Sequence, residues 1–337
     1  MSRRLPPTGL AALAAMVLAG PLPVAAADFG QVRHGIGMCD ASAVVPLDDD
    51  LFVAADDEDN YLRVYSRHQG GPPVFQTSVS RFLGFKSPKG EADIEGAARL
   101  GDLVYWITSH GRNTRGKEQP RRQRFFATTG TAIGGKIDLR PVGVPYAGLL
   151  RDLIEEPQLA SFHLDRAAAG APKAPGSLNI EGLVAAPEGH LLLGFRNPIP
   201  LRSALVVRLL NPAELVTGGT ARFGPPILLN LGGLGIRSLT RWQDSYLIVA
   251  GSPADGGVSR LYEWSGPPSP PRWLSMVDFS GLNPEAIAVV PDAHGTELLA
   301  LSDDGTVLCD GVECKRLRDP TRKRFRFVQW PLPLRSP

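Results

Sequence analysis

Short apolar runs recur along the chain, and short polar turns separate them. Four pairs of runs resemble one another, because in each pair a turn lies between two stretches of similar pattern. The first members of the pairs begin at Glu95, Glu181, Arg237 and Glu285, and the second members are residues 103–107, 191–195, 246–250 and 297–301. A fifth pair, residues 42–47 and 51–55, fits less closely. Each pair predicts two antiparallel strands joined by a tight turn.

Two further strands are predicted after each pair. The third strands are residues 61–65, 124–128, 204–210, 259–264 and 305–308, and the fourth are 74–80, 136–142, 226–231, 272–278 and 324–330. Four short strands in each repeat of about 45–55 residues are typical of a β-propeller. The sequence therefore predicts an all-β fold, a β-propeller with five visible four-stranded blades.

One interval between repeats, from Glu95 to Glu181, is 86 residues long and exceeds the others. It contains leucines at roughly helical spacing, among them Leu149 and Leu153, followed by a stretch rich in Ala, Pro and Gly. We interpret it as a short helical insertion near residues 147–165. A degenerate sixth blade is the alternative interpretation.

The composition is that of a globular protein rich in turns. The 337 residues include 37 Gly and 31 Pro, so long helices cannot dominate. Hydrophobic residues make up 43%, which suffices for a large core and excludes a disordered chain.

The first residues have the pattern of a secretory signal peptide. Arg3 and Arg4 precede the uncharged apolar run 9–19, and three alanines end at Ala27. This predicts a signal peptide over residues 1–27, cleaved after Ala27, with a retained anchor as the alternative. The remainder, residues 28–337, is predicted to be a single domain in the periplasm or secreted, and we expect a monomer.

The charge balance bears on the kind of partner. Without the signal peptide, Lys plus Arg fall from 36 to 34, which equals the 34 Asp plus Glu. A net charge of zero argues against nucleic acid or a membrane surface as the main partner. No second apolar run approaches the length of a membrane span. We therefore expect a small anionic ligand or an exported protein as the partner.

Three cysteines are present. Cys309 and Cys314 flank a stretch rich in turn residues, which predicts a disulfide across a hairpin, and Cys39 is then a buried free thiol. A zinc site is not indicated, because no second Cys/His cluster has the spacing of ligands.

The propeller topology predicts where functional side chains gather. The loop before each first strand and the loop after each second strand share one face of the disc, beside the axis. The loops before first strands supply Asp93, Glu95, Asn179, Glu181, Arg237, Asn283 and Glu285. The loops after second strands supply residues 56–60, Ser109, His110, Arg112, Arg196, Asn197, Ser252, Asp303 and Asp304.

This set of side chains is rich in carboxylates, the hard oxygen ligands that suit Ca²⁺ or Mg²⁺. We predict metal ligands at Asp57, Glu58 and Asp303, and catalytic groups at Glu95, Glu181, Glu285 and His110. Arg112, Arg196, Arg237 and Asn197 are predicted to hold an anionic substrate, since guanidinium groups fit carboxylates and phosphates. Alternatively, the three glutamates only fasten blade to blade by accepting backbone hydrogen bonds, and His110 is structural.

Several segments resemble a bacterial exported family catalogued as a domain of unknown function: 56–65, 93–96, 179–182 and 283–286. That family is similar to propellers described as phytase-like with esterase-like activity, in which an acid-Gly pair opens each inner strand. The resemblance covers about residues 38–330. It implies a propeller with metal-assisted hydrolysis of an ester or phosphoester. Two positions depart from the pattern, with Arg237-Ser238 and Ala41-Ser42 in place of the acid-Gly pair.

Three hypotheses of function follow from the sequence. The first is a divalent-metal-assisted hydrolase of an anionic ester or phosphoester. The second is a non-catalytic propeller that binds a ligand or protein in the periplasm. In the third, the acidic side chains only lock the blades together.

Overall fold

Five antiparallel sheets of four strands each form the fold. The structure is a computed structural model, and it describes Met1 and residues 30–86, 90–171, 174–254, 256–292 and 295–333. The predicted signal peptide, residues 1–27, lies outside the described residues apart from Met1. Among the described residues, no helix has both the length and the apolar character needed to cross a membrane. The predicted all-β propeller with five four-stranded blades is confirmed.

The strands follow the chain in blade order, apart from the first. Strand β1 (Val32–Ile36) is the outer strand of the last blade. Blade 1 has β2 (Ala41–Pro46), β3 (Leu51–Asp56), β4 (Tyr61–Ser66) and β5 (Phe75–Ser78). Blade 2 has β6 (Ile94–Leu100), β7 (Leu103–Thr108), β8 (Phe125–Thr129) and, after a small hairpin of β9 (Thr131–Ile133) and β10 (Lys136–Asp138), β11 (Pro141–Tyr146). Blade 3 has β12 (Asn179–Ala186), β13 (His190–Asn197), β14 (Ala204–Leu209) and β15 (Ile227–Leu229). Blade 4 has β16 (Gly235–Trp242), β17 (Ser245–Gly251), β18 (Arg260–Trp264) and β19 (Arg272–Leu274). Blade 5 has β20 (Pro284–Asp292) and β21 (Gly295–Ser302), then a small hairpin of β22 (Leu308–Cys309) and β23 (Val312–Glu313), and β24 (Arg324–Leu332).

Helices lie outside the blades. In the interval between blades 2 and 3 are α1 (Leu149–Glu155), a 3-10 helix (Pro157–Phe162) and α2 (Leu164–Ala169). Helix α3 (Pro212–Leu215) follows β14. Leu149 and Leu153 are buried in the apolar layer between blades 2 and 3. The predicted helical insertion is therefore confirmed, and helices occupy the interval in which a sixth blade was the alternative.

The apolar runs are continuous because each blade is covered on both faces. In β7, Trp106 packs toward blade 1 with Val53. Its neighbours Tyr105 and Ile107 pack toward blade 3 with Leu193. Successive side chains of a strand point to opposite faces, so both sets are buried. Full burial of such a side chain contributes about 1.5–3 kcal/mol, and the layers between blades therefore hold the disc together.

The five inner strands form a closed ring. Strand β2 contacts β6, β6 contacts β12, β12 contacts β16, β16 contacts β20, and β20 contacts β2. The starts of all five inner strands therefore lie on one face around the axis.

The last blade differs from the prediction. Residues 305–308 were expected to form its third strand and 324–330 its fourth, and both assignments are wrong. Strand β24 is the third strand, and β1 from the other end of the described chain pairs with it, Val32 opposite Val328. Residues 308–309 belong to the hairpin β22–β23 instead. The pattern did not reveal this closure because β1 and its partner strand lie at opposite ends of the sequence.

The predicted disulfide is also wrong. Cys39 pairs with Cys314, with Cα atoms 5.9 Å apart, and Cys309 is a buried free thiol. The hairpin register explains this, since Cys309 lies opposite Val312 and Cys314 lies beyond the paired residues. All three cysteines pack in one small buried cluster with Leu317.

Candidate metal centre

Each inner strand carries a β-bulge at its start. The extra residue in the bulge is Ser42 in blade 1, Glu95 in blade 2, Glu181 in blade 3, Arg237 in blade 4 and Glu285 in blade 5. A bulge re-aims the side chain of its extra residue and interrupts the ladder. The repeated position that the sequence singled out is thus the position where the strand cannot follow regular geometry.

Three of these five residues meet in an ion-pair network. The Arg237 Nε atom lies 3.2 Å from Glu181 Oε2, and its Nη2 atom contacts Glu285 Oε1. Arg196 Nη1 lies 2.7 Å from Glu181 Oε1, to which Asn179 Nδ2 donates a hydrogen bond of 2.7 Å. These charged side chains are all buried. The network joins blades 3, 4 and 5.

The arginines of this network are occupied by the protein itself. Arg196 also donates to the carbonyl oxygens of Ser252 and Ala254, at 3.1 and 3.2 Å. Burial lowers the pKa of Arg237, while Glu181 acts in the opposite direction. Both guanidinium groups were predicted to hold an anionic substrate. In the structure, Arg196 pairs with Glu181 of its own blade, and Arg237 pairs with Glu181 and Glu285 of the two neighbouring blades.

Glu95 is the exception among the three predicted catalytic glutamates. It is 7% exposed, and its carboxylate has neither an ion pair nor a hydrogen bond with the described residues. Its neighbour in the ring on the blade 1 side is Ser42, whose hydroxyl donates to the carbonyl oxygen of Ile94 at 2.5 Å. Burial raises the pKa of Glu95 well above its usual value, and the charges of Glu181 and Asp93 add to this.

Beside Glu95 lies a group of carboxylates that we name the acidic cluster: Asp40, Asp56, Asp57, Asp93 and Glu95. Their ligand atoms form two groups, in each of which all atoms lie within 4.8 Å of one another. The first group is Asp40, Asp56 and Asp57, and the second is Asp57, Asp93 and Glu95. Asp40 precedes β2, Asp56 ends β3 and Asp57 follows it, and Asp93 precedes β6, so all approach from the same face.

Two members of the acidic cluster have buried oxygen atoms without a hydrogen-bond donor in the described part of the chain. These atoms are Oδ2 of Asp40, a residue that is 4% exposed, and Oδ1 of Asp57. A buried charge without a partner is strongly unfavourable, so such atoms point to a missing cation or to protonation.

Other members are partly held by the protein. Asp56 accepts hydrogen bonds from the backbone N–H groups of Cys39 and Glu58, at 3.3 and 2.8 Å. Asp93 accepts from the Ser109 hydroxyl and from Arg122 Nη1, the latter at 2.8 Å. These contacts fix the orientation of both carboxylates.

The acidic cluster holds protons more tightly than isolated carboxylates do. Burial, together with the charge of Asp56, raises the pKa of Asp40 to about 9. Burial raises the pKa of Asp56 to about 7 and that of Asp93 to about 6, and it raises that of Asp57 well above the usual value. A divalent cation would remove this repulsion and stabilise the ionised forms.

Two residues predicted as metal ligands lie outside both groups. The Glu58 carboxylate lies 3.9 Å from Lys315 Nζ. Asp303 accepts hydrogen bonds from Asn283 Nδ2 and from the backbone N–H of Gly305, at 3.0 and 2.9 Å. Among the three predicted ligands, the described residues place only Asp57 in the acidic cluster.

His110 lines a different cavity, of about 170 Å³, between the loop after β7 and helices α1 and α2. Its Nδ1 atom lies 2.7 Å from the carbonyl oxygen of Thr108, and burial lowers its pKa to about 4, so the ring is neutral at pH 7 with its proton on Nδ1. Arg112 lines the same cavity and donates to the carbonyl oxygens of Ala168 and Gly116. It fastens the loop to α2.

Asn197 lines another cavity, of about 660 Å³, beside the helical insertion. Its Nδ2 atom lies 3.3 Å from the carbonyl oxygen of Ala174 and 3.4 Å from Ser177 Oγ. These contacts hold the chain just before β12.

Asp40 is the ligand candidate that sequence reasoning missed. Its signal lay in the repeat, because the residue two positions before the bulge is Asp40 in blade 1, Asp93 in blade 2, Asn179 in blade 3 and Asn283 in blade 5. An alignment of the blades on their bulges would have paired Asp40 with Asp93.

Solved structures with a similar arrangement include proteins of several activities. Glutaminyl cyclase from Myxococcus xanthus is 12% identical, with a TM-score of 0.46 over 90% of this chain and 95% of that one. A GH43 β-1,3-galactosidase is 10% identical, with a TM-score of 0.47 over 91% of this chain and 95% of that one. A PQQ-bound aldose sugar dehydrogenase from Streptomyces coelicolor is 14% identical, with a TM-score of 0.40 over 90% and 99%. These identities are too low to indicate an activity.

Comparison with sequences gives the family of the chain. No curated protein matches it. One family model matches residues 40–128 and 146–297, which include all five residues of the acidic cluster and all five bulges. The chain belongs to the family described as protein of unknown function, DUF3616.

Proposed function

We propose that this protein is an exported, divalent-cation-dependent hydrolase of an anionic ester or phosphoester, with the acidic cluster as its cation site. The observation that supports this most is the pair of buried carboxylate oxygens, Oδ2 of Asp40 and Oδ1 of Asp57, which lack donors among the described residues while three further carboxylates lie beside them. Oxygen ligands of this number and charge suit Ca²⁺ or Mg²⁺.

The distances agree with a calcium site. Ca²⁺ binds oxygen at about 2.3–2.6 Å, so two oxygens on opposite sides of the ion lie about 4.6–5.2 Å apart. The ligand atoms of each group lie within 4.8 Å of one another. Mg²⁺ binds at about 2.0–2.1 Å, so its opposite ligands lie about 4.0–4.2 Å apart.

The roles of the residues follow from their contacts. A bound divalent cation polarises an ester or phosphoryl oxygen and lowers the pKa of a coordinated water. Glu181 and Glu285 pair with Arg237 and maintain the ring. Glu95 has no such partner, so it is the predicted catalytic glutamate that is available to the cation site.

The proposal of export rests on the signal-peptide pattern and on the disulfide. Disulfides persist mainly in oxidising compartments such as the periplasm. The Cys39–Cys314 bond lies beside Asp40, a member of the acidic cluster. The resemblance to phytase-like and esterase-like propellers agrees with hydrolysis of an anionic ester.

A non-catalytic ligand-binding propeller is the second candidate. One observation favours it, because Arg196 and Arg237 are paired with Glu181 and the Arg112 guanidinium donates to backbone carbonyls. With these three guanidinium groups occupied, the site would depend mainly on the bound metal to attract an anionic substrate.

The two candidates are separated by a substrate panel. The chain without residues 1–27 is freed of metal and assayed against aryl phosphates, phosphodiesters and carboxylic esters, with Ca²⁺, with Mg²⁺ and with chelator. Hydrolysis that needs the cation and that Asp57→Asn abolishes supports the hydrolase. Cation binding without turnover of any class supports the binding propeller, and absence of cation binding contradicts both. Asp244→Asn is the matched control, because Asp244 is exposed in the turn between β16 and β17, which lies on the opposite face.

A further inference from the structure

We propose that the acidic cluster binds two divalent cations and that the Asp57 carboxylate bridges them; this inference rests on the proposed cation site. Asp57 is the residue common to the two ligand groups. A carboxylate has two oxygens and can therefore serve two ions at once. The first ion would lie among Asp40, Asp56 and Asp57, and the second among Asp57, Asp93 and Glu95.

The geometry separates the five carboxylates into two sets. The ligand atoms within each group lie within 4.8 Å of one another, but the two groups do not merge into one. Oxygens that bind a single Mg²⁺ ion cannot lie more than about 4.2 Å apart, because each Mg–O distance is at most about 2.1 Å. A single Mg²⁺ ion therefore cannot reach all five side chains where the structure places them, and for the larger Ca²⁺ each group of three lies within the span of one ion.

The charges also favour two ions. One divalent cation offsets two negative charges, whereas the acidic cluster holds five carboxylates. Arg122 is paired with Asp93, at 2.8 Å, and Lys315 lies 3.9 Å from Glu58 just outside the cluster. With all five carboxylates ionised, one ion and these two side chains would leave a buried excess of negative charge, which a second ion reduces.

Each ligand group contains a buried carboxylate side chain that lies near other carboxylates but has no hydrogen bond or ion pair with the described residues. In the first group it is Asp40, which is 4% exposed and has an unpaired Oδ2 atom. In the second group it is Glu95, which is 7% exposed and has no hydrogen bond or ion pair with the described residues. The second group also contains the buried Oδ1 atom of Asp57, which lacks a donor among the described residues. Carboxylates without a protein partner are expected in both groups if each group receives an ion.

The two sites should differ in affinity. In the second group, Arg122 already offsets part of the charge of Asp93, and the Ser109 hydroxyl takes one lone pair of that carboxylate. In the first group, the donors to Asp56 are neutral backbone N–H groups. The first group should therefore bind Ca²⁺ more tightly, and the ions should enter in two steps.

The experiment is calorimetric titration of Ca²⁺ into the metal-free chain without residues 1–27. We expect two ions per chain in two steps. Asp40→Asn should remove the tight step and leave one weak ion, and Glu95→Gln should remove the weak step and leave one tight ion. Asp57→Asn should weaken both steps, whereas Asp244→Asn should change neither.

A second measurement does not depend on any variant being folded. The wild-type protein is loaded with Mn²⁺, and its electron paramagnetic resonance spectrum is recorded at one and at two equivalents. Two ions bridged by one carboxylate should give a spin-coupled spectrum, and isolated ions should not.

The outcomes distinguish this inference from the proposed function. A single ion in the wild type, or two ions without spin coupling, overturns the shared site and leaves a cation-dependent hydrolase intact. If the wild type binds two ions and Asp57→Asn removes only one of them, the bridging role of Asp57 is overturned. Absence of any binding overturns the cation site itself, and the proposed function with it.

Discussion

Arg237 Nε in blade 4 lies 3.2 Å from Oε2 of Glu181 in blade 3, with both side chains almost fully buried. A charge pair of this kind joins the inner strands of two blades at the axis. Its contribution to stability can therefore be tested apart from the cation site.

We expect Arg237→Gln to destabilise the fold, because it leaves the buried carboxylates of Glu181 and Glu285 without this partner. Removal of one member of a buried pair costs about 3–5 kcal/mol. The free energy of unfolding in urea measures the loss. Arg241→Gln, at the other end of the same strand, is the control, because its pair with Asp244 is exposed and 3.9 Å long. Such a surface pair contributes about 0–1 kcal/mol.

The double variant Arg237→Gln with Glu181→Gln tests whether an unpaired buried charge causes this loss of stability. If uncompensated charge explains the loss, the two substitutions together should destabilise less than the sum of the single effects. If the two losses of stability simply add, the charge pair between Arg237 and Glu181 is contradicted.

Cation binding should strengthen as pH rises. Protons compete with the cation for the carboxylates, and burial raises the pKa of Asp40 to about 9 and that of Asp56 to about 7. The shift in Tm produced by Ca²⁺ should therefore increase from pH 5 to pH 9. Differential scanning calorimetry at fixed Ca²⁺ concentration measures it, and a shift independent of pH would contradict the placement of the ion.

Without a cation, the trend should reverse. A carboxyl whose pKa is higher in the folded state than in the unfolded state binds more protons when folded, so stability falls as pH rises. For Asp40 the window runs from the usual value near 3.8 to about 9. In the presence of chelator, the free energy of unfolding should decline across this window. Asp40→Asn should flatten the decline, because the neutral amide does not titrate.

The disulfide should support both the fold and the cation site. Reduction of the Cys39–Cys314 bond frees the segment that carries Asp40 from the segment that carries Lys315. A disulfide that closes a long loop typically contributes about 2–4 kcal/mol. We expect Cys39→Ala with Cys314→Ala to lower the Tm and to weaken the tighter Ca²⁺ step. Cys309→Ala is the control, and peptide mapping of the oxidised protein should find the Cys39–Cys314 pair in it unchanged.

Gly305 should control the position of Asp40. A Cβ atom at this glycine would overlap with Oδ1 of Asp40. Overpacking of a tight site costs about 1–3 kcal/mol, and here the Asp40 carboxylate is the group that must move. Gly305→Ala should therefore weaken the Ca²⁺ step that involves Asp40 and spare the other. Thr306→Ala, at the neighbouring exposed residue, should leave both steps unchanged, and equal effects of the two substitutions would argue against this contact.

Most of the fold could be predicted because the first two strands of each blade are neighbours in sequence. The runs at residues 103–107 and 191–195 are free of charged residues, since both faces of a blade are covered. The pairing of β1 with β24 closes blade 5, and we call it the seam. It could not be predicted in the same way. Strand β1 is short and only partly buried, and its partner β24 lies far away in the sequence, so no local pattern connects them.

The candidate site was predictable at the repeated positions and not between them. Glu95, Glu181 and Glu285 share one place in the repeat, and the structure puts all three at the bulges. What the repeat could not show is that Arg237 neutralises two of them, which depends on how neighbouring blades pack. The sequence also could not show that Cys39 lies beside Cys314, because residues far apart in the chain meet only after the ring has closed.

The seam has a further consequence for how the protein can be cut and rejoined. Val32 lies opposite Val328, so the strand that begins the described chain and the one that ends it are already hydrogen-bonded neighbours. New termini placed in the outer hairpin β9–β10, with a linker between the old ones, would transfer the seam to blade 2. Such a circular permutant would keep every inner strand and every bulge in place, because the circle of blades itself has no first member.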